Sequence, residues 1–375
     1  MSVFVTDSGY KHTLGIVRSL GHRGLKVDVG SSSVHATLAS FSKYCQRSFI
    51  YPDPKNYPDR FIRFLRILSE ESKYKVVMPV SYTATFCMSK NKKALDKFVN
   101  VPIADFSSLK IAANKRDTMF LAEKIGVPAP KTFNIQYVSQ LDEVDGWNYP
   151  LVVKGSVESG FVHYARNKQE LKQYFEAIYR VQGVAPVVQE FITGEGYGFF
   201  ALFNHGKPRA VFMHKRVREA VSSGGPSTCA ESVYEPKLLD YGLRILKALK
   251  WHGVAMVEFK KDSTDGEFKL MEINPKFWGS LDLSIACGVD FPYLLYRMAV
   301  NGDIASVFNY KLGVRFVWPF ADLQHVINTR RDAATVLLDV LNRNVKKNLD
   351  RTDLKPTLFP LIDGLSLISS KLFGF

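Results

Sequence analysis

Over its first hundred residues the chain alternates between two hydrophobic periodicities, and that alternation restricts the fold more than any other feature. Val3-Phe4-Val5-Thr6 is an apolar run too short for a helix and fits a buried strand. From about Thr13 to Arg23 the apolar residues Leu14, Val17 and Leu20 recur at helical spacing, and Gly24 marks the stop before a second strand at Leu25–Val29. A third strand is expected at Phe49–Tyr51, a helix over Tyr57–Ser69 and a further strand over Val76–Val80. Parallel strands need crossover connections, which helices supply, so this rhythm predicts a doubly wound parallel α/β domain over residues 1–105. Ligands of such sheets sit at the carboxyl ends of the strands, which places Thr6-Asp7-Ser8-Gly9 and Pro79-Val80-Ser81-Tyr82 beside any cleft. The GxGxxG fingerprint is missing from the first turn, so a dinucleotide is not favoured.

Beyond a boundary near Val101–Ser107 the pattern changes. Asn114 is placed to cap a helix that opens at Lys115, carries Asp117 in its first turn and runs to about Ile125, where Gly126-Val127-Pro128-Ala129-Pro130 breaks it. Strands are expected at Pro150–Lys154 and Pro186–Phe191, with a helix over Lys168–Val181 between them. Longer strand-like segments follow at Tyr197–Asn204, Ala210–Arg216, Val254–Lys260 and Glu267–Ile273, interrupted by a helix over Pro236–Leu249. This middle part reads as α+β and mostly antiparallel. From Leu312 the chain turns basic and helical.

Composition narrows the functional classes. At 375 residues the chain is long enough for two or three compact lobes. There is no run of 18 apolar residues, and the first residues lack the pattern of a signal peptide, so a cytoplasmic protein is expected. Cys45, Cys87, Cys229 and Cys287 are far apart and read as reduced thiols rather than as a zinc or disulfide framework. The net charge of +14 sits at the ends: residues 1–105 carry 16 basic and 8 acidic side chains, 106–310 carry 24 and 22, and 311–375 carry 10 and 6. No basic run interleaved with aromatics stands out, which argues against a nucleic-acid partner. Leu358, Leu361, Ile362, Leu365, Ile368 and Leu372 recur at helical spacing near Lys346, Lys347 and Lys355. Such a stripe is either a peripheral membrane contact or a terminal helix docked on its own core.

Three patterns carry chemistry. In Met271-Glu272-Ile273-Asn274-Pro275, strand alternation turns Glu272 and Asn274 to the same face, and Glu258 on the neighbouring Val257-Glu258-Phe259 strand can join them. Two carboxylates and an amide oxygen suit magnesium, although a polar solvent-facing stripe would read the same way. Lys115, Lys154 and Lys215 are compact cations suited to phosphate oxygens, or plain surface lysines; Lys154 stands out because it ends a buried-type strand. Val187-Val188-Gln189-Glu190-Phe191-Ile192-Thr193-Gly194-Glu195-Gly196 leads an apolar strand into a turn whose backbone could meet an adenine edge, or is a simple strand-turn-strand. Two connections follow: Ser222–Thr228, a surface loop or a lid, and Asn274–Ser280, in which Lys276 and Ser280 could face an acceptor while Phe277 and Trp278 pack.

Taken in order, these pieces resemble the ATP-grasp superfamily over roughly residues 1–305, in its carboxylate–amine ligase-like form. The resemblance implies an N-terminal domain (1–105), then a two-lobed ATP-grasp fold with a small α+β lobe (106–192) and a C-terminal lobe carrying the metal site (193–310), and a basic helical tail (311–375). ATP would lie between the two lobes. Lys115 and Lys154 would contact it, Gln189, Glu190 and Ile192 would line the adenine with Phe191 packing there, and Glu195 would reach the ribose. Glu258, Glu272 and Asn274 would hold one or two magnesium ions, or manganese in their place. Lys215 would touch phosphate, and Arg216 or Arg218 would stabilise the transition state. The implied reaction activates a small carboxylate as an acyl phosphate and joins it to an amine, with part of the substrate site at Asp7, Ser8 and Ser81; a homodimer is a reasonable assembly. The alternatives are an ATP-grasp kinase acting on a hydroxyl and a nucleotide-binding regulatory protein without turnover. The second is kept open by a glycine-poor Gly155–Gly160 loop that contains Glu158.

Overall fold

The computed structural model describes residues 2–357, apart from 36, 144–147, 158–159 and 222–223. The chain opens with β1 (Ser2–Val5), α1 (Lys11–His22), β2 (Lys26–Ser31), β3 (Cys45–Ile50), α2 (Pro58–Ser72) and β4 (Val76–Met78). The four strands form one parallel sheet in the order β3-β2-β1-β4. Val3, Phe4 and Val5 are fully buried because helices cover both faces of the central strand. The expected doubly wound sheet is therefore present. Its third strand starts four residues earlier than expected: Cys45–Ile50 is an edge strand of largely exposed polar residues, so it carries no apolar alternation to announce it. α3 (Tyr82–Lys90) and α4 (Lys92–Leu95) close this unit.

α5 (Phe106–Ala113) and α6 (Lys115–Lys124) meet at Asn114, whose Oδ1 accepts the backbone N–H groups of Arg116 at 2.9 Å and Asp117 at 3.2 Å. That cap ends one helix, starts the next and aims Lys115 from the first turn. A small antiparallel sheet follows, built from β5 (Thr132–Phe133), β6 (Leu151–Lys154), β7 (Val162–Ala165), α7 (Lys168–Gln182) and β8 (Val187–Glu190), in the strand order β5-β8-β6-β7. Leu171, Phe175 and Ile178 of α7 pack on Leu151, Val153 and Val188. Since side chains alternate, the opposite face presents Val152, Lys154 and Gln189.

The large sheet contains β9 (Gly194–Asn204), β10 (Lys207–Val221) and β11 (Gly224–Ser232), then, after α8 (Pro236–Ala248), β12 (Gly253–Asp262) and β13 (Phe268–Asn274). α9 (Leu281–Ala286) and α10 (Phe291–Asn301) lead to β14 (Arg315–Val317), α11 (Pro319–Thr329), α12 (Ala333–Leu341) and β15 (Lys346–Lys347). The seven strands run β13-β12-β9-β10-β11-β14-β15. On one face, Phe199, Ala201 and Phe203 meet Leu238, Ile245 and Leu246 of α8. On the other, Phe200, Leu202, Phe212 and Met256 share a core with Leu14, Ile16 and Val17 of α1. α1 packs against α9 and α10, and α10 packs on β9 and β12, so these two helices dock the N-terminal unit on the face from which Glu258 projects.

Two expectations are corrected here. The supposed lid Ser222–Thr228 belongs mostly to β11, which pairs with β10 from Gly224 to Ser232, and Thr228 is buried in that pairing. The segment after Leu312 is not helical throughout: β14 joins β11 through Cys229, Ala230 and Glu231. The apolar stripe Leu358–Leu372 and Glu158 lie outside the described residues. Among the described residues, no helix is long and apolar enough to cross a membrane.

Candidate active site

A cavity of about 560 Å³ opens between the small sheet and the large one. Its floor is the end of the β12–β13 hairpin. Glu258 pairs directly with Glu272 across the two strands, so both carboxylates project from the same side, and Asn274 follows two residues on. The Asn274 amide Nδ2 donates to Glu258 Oε1 and to Glu272 Oε1, each at 3.0 Å. The three residues read from sequence alternation as a possible metal set are therefore brought together on one face. Among the described residues no group of three His, Cys, Asp or Glu side chains forms a metal cluster; this set is two carboxylates and an amide.

Cations surround that floor. Lys115 Nζ, from the first turn of α6, lies 2.8 Å from Glu272 Oε2. Burial alone would raise the Glu272 carboxyl, but Lys115 and Lys154 outweigh it and hold the group below the usual carboxylate range. Glu258 shifts the other way: burial and the neighbouring Glu272 carboxylate raise it against the pull of Arg216. Lys154 is 6% exposed, donates from Nζ to the Met271 carbonyl at 3.3 Å and is pulled down to about 8, first by burial and then by Lys115. Arg216 bridges the wall and the floor: Nη2 donates to Glu258 Oε2 at 2.5 Å, and Nη1 donates to Glu219 Oε1 at 2.7 Å and to the Gly225 carbonyl at 3.1 Å. A cation on either side of two close carboxylates reduces the cost of keeping both charged.

The segment after β8 forms another wall. Phe191 and Ile192 line the cavity, whereas Gln189 and Glu190 are not among its lining residues. Gln189 donates from Nε2 to Thr132 Oγ1 at 2.6 Å, and its buried Oε1 has no partner among the described residues. The Glu190 N–H donates to the Lys131 carbonyl at 3.0 Å.

Several sequence-derived candidates are placed elsewhere. Lys215 lies between His214 and Arg216 on β10, so alternation turns it to the α8 face with Met213, away from the cavity. Arg218 is buried and committed to two carboxylates: Nε and Nη2 donate to Asp322 at 3.1 and 2.6 Å, and Nη1 donates to Asp339 at 2.7 Å. A register shift in β10 between Arg216 and Arg218 separates the two arginines' surroundings. Glu195 accepts the Tyr197 hydroxyl at 3.2 Å on the α8 side, and it is Gly196 that lines the cavity. In the N-terminal unit, Asp7 is occupied by the Tyr51 hydroxyl at 3.0 Å and the Ser81 N–H at 2.9 Å, and Ser8 Oγ lies 2.6 Å from Thr37 Oγ1. Ser280 meets the buried ring of His214 at 2.9 Å instead of facing the cavity. Phe277 and Trp278 are buried, as expected.

Sequence reasoning overlooked Lys260, and it placed Tyr82 beside the cleft only as part of the Pro79–Tyr82 loop, without a role of its own. Lys260 is two residues beyond Glu258 and so on the same strand face; its Nζ donates to the Ile192 carbonyl at 3.1 Å and lies 5.5 Å from the Phe191 ring centroid. The alternation used for Glu272 and Asn274 would have found it. Tyr82 reaches the cavity from the N-terminal unit, at the carboxyl end of β4.

Comparison with known proteins agrees with this architecture. A family model described as ATP-grasp in the biosynthetic pathway with Ter operon matches residues 185–319. A D-aspartate ligase of Enterococcus faecium (strain Aus0004) is 24% identical over 211 residues, which cover 50% of this chain and 49% of that protein. The chain thus spans about half the length of this curated relative. Among solved structures, an L-amino acid ligase from Bacillus licheniformis superposes with a TM-score of 0.61 at 19% identity, covering 80% of this chain and 74% of that one. The biotin carboxylase domain of Hydrogenobacter thermophilus 2-oxoglutarate carboxylase, solved with MgADP, superposes with a TM-score of 0.67 at 13% identity, covering 84% and 73%. The parallel N-terminal sheet and the cleft between two further sheets give the chain the ATP-grasp fold of these solved structures. Within that fold the chain is similar to the carboxylate–amine ligases.

Proposed function

We propose that the chain is an ATP- and magnesium-dependent ligase that activates a small carboxylate as its acyl phosphate and joins it to an amine. The observation that carries this reading is the convergence of Glu258, Glu272 and Asn274 with Lys115, Lys154 and Arg216 around one cavity. Its volume of about 560 Å³ is in the range of small-molecule sites. The donor set fits a hard divalent cation: two carboxylates and an amide converge on one face, and the Asn274 amide N–H group links the two carboxylates. Glu258 and Glu272 would hold magnesium, with the Asn274 amide turned over to offer its oxygen, and the ion would neutralise phosphate charge when bound.

Phosphoryl transfer needs positioning and charge more than covalent participation by the protein. Lys115 and Lys154 would hold phosphate oxygens, and Phe191 and Ile192 would pack the base. Arg216, fixed by Glu258 and Glu219, would face the charge that develops on the transferred phosphoryl group. A substrate carboxylate oxygen would bond to the γ-phosphorus as the bond to the β-phosphate oxygen breaks, releasing ADP. The amine nitrogen would then attack the acyl carbon, lose a proton and expel inorganic phosphate. The relatives include a D-aspartate ligase and an L-amino acid ligase, which makes amino acids the first substrates to try.

The test is phosphate release from Mg-ATP across paired amino acids and small carboxylates, with products identified by mass spectrometry. Release that requires both an acid and an amine, with an amide product, is expected. A phosphorylated alcohol without an amide would move the assignment to a kinase, and nucleotide binding without any release across the panel would contradict turnover.

A further inference from the structure

We infer that the outer surface of α11 and α12 binds an anionic lipid surface. Phe320, Leu323 and Ile327 of α11 recur along one helix face and are 40%, 55% and 67% exposed. Leu337, Leu338 and Leu341 of α12 are 59%, 67% and 68% exposed. The inner faces of both helices are tied to one residue, since Arg218 of β10 donates to Asp322 of α11 and to Asp339 of α12. Two helices anchored through one guanidinium turn their opposite, apolar sides outward together. α11 and α12 are in contact, so these six exposed apolar side chains lie on neighbouring helices, an arrangement that a freely soluble surface avoids.

The charge around the patch selects its partner. Of the five carboxylates between Lys311 and Thr357, Asp322, Asp339 and Asp353 are buried. The other two face histidines: Asp332 meets His325 at 3.0 Å and Asp350 meets His22 at 3.2 Å. The basic residues Arg330, Arg331, Arg343 and Lys346, beside or between the helices, are exposed. An apolar centre with a cationic rim matches an interfacial surface facing anionic headgroups. A second copy of the chain would set these cations against each other. The remaining residues, 358–375, carry one acid and one base, Asp363 and Lys371, and so do not complement the rim. A nucleic acid would match the rim but leave the leucines and Ile327 without a purpose.

The experiment is co-sedimentation of the full chain with vesicles of phosphatidylcholine alone or mixed with phosphatidylglycerol. It compares wild type with an exposed-residue variant (Ile327→Ser, Leu338→Ser, Leu341→Ser) and a rim variant (Arg330→Gln, Arg331→Gln). Binding to the mixed vesicles, weakened by on the order of tenfold in each variant and falling with salt, is expected. Because the substituted side chains are exposed, unchanged circular dichroism should accompany the loss. No wild-type binding to the mixed vesicles would overturn the inference. So would equal binding by all three proteins, which would move the contact to residues 358–375. A wild-type dimer in sedimentation that the apolar variant converts to monomer would instead assign the face to self-association.

Discussion

Replacing Arg218 with alanine should damage the fold of the C-terminal segment without directly touching the chemistry. The Arg218 side chain is 5% exposed, and those of Asp322 and Asp339 are 0% and 7% exposed. Removing the guanidinium leaves two buried carboxylates whose charges it had compensated, with Arg315 remaining near Asp339 at 3.2 Å. Breaking a buried ion pair from one side costs about 3–5 kcal/mol, because the orphaned charge keeps its desolvation penalty. That should lower the melting temperature by about 5 °C or more and expose the α11–α12 connection, so trypsin should cut after Arg330 and Arg331 in the variant well before it does in the wild type. Removing all three charges with Arg218→Met, Asp322→Asn and Asp339→Asn should recover much of the loss, since no buried charge is then left unpaired. Phosphate release should return with the fold. An Arg218→Ala protein with wild-type melting and proteolysis but no turnover would refute this reasoning and restore Arg218 to the reaction centre.

Other outcomes follow from the same geometry. Lys154 sits at about 8, so raising the pH through that value should remove its charge and weaken nucleotide binding, by up to roughly tenfold per pH unit; calorimetric titrations from pH 7 to 9.5 should show this dependence vanish in Lys154→Met. His214 is fully buried and held down to about 3, chiefly by burial and then by Arg216. The unfolded chain binds the proton first, so stability should fall as pH drops below about 6.5, by at most roughly 1.4 kcal/mol per pH unit from this residue. Urea unfolding at pH 7 and 5 should show the decline and a smaller one in His214→Gln. Gly242 of α8 leaves no room for a methyl group: an added Cβ would stand 2.3 Å from the Phe199 ring. Gly242→Ala should therefore cost about 1–3 kcal/mol by overpacking despite alanine's better helix propensity, and a gain in melting temperature would contradict the packing.

The parts of this molecule legible from sequence were those in which one periodicity decides the outcome. The N-terminal strands are apolar runs between amphipathic helices, and the Asn114 cap is a local signal with a local cause. That Glu258 can share a face with Glu272 and Asn274 followed from alternation plus one hairpin. Long-range decisions were less legible. Whether Arg216 or Arg218 faces the cavity depends on a bulge in β10 and on carboxylates more than 100 residues away. Lys215 looked suitable by residue type, but alternation placed it on the other face. Ser222–Thr228 looked like a loop because Ser, Gly and Pro are poor strand formers, yet β10 and β14 give β11 backbone partners that override propensity. The N-terminal candidates Asp7, Ser8 and Ser81 were correctly placed at strand ends but are used to hold the loops together, and their neighbour Tyr82 reaches the cavity instead.

The central claim is that the carboxylate oxygen of the substrate attacks the terminal phosphorus of ATP in the cavity floored by Glu258, Glu272 and Asn274. Once the substrate panel yields a turning-over pair, the acid labelled with 18O in its carboxylate should be supplied with unlabelled Mg-ATP and the amine, and the released phosphate analysed by mass spectrometry. One 18O per phosphate in the wild type, with no labelled phosphate from Glu272→Gln, is the expected result. Amide formation with unlabelled phosphate, or labelled phosphate at the wild-type rate from Glu272→Gln, would contradict the account.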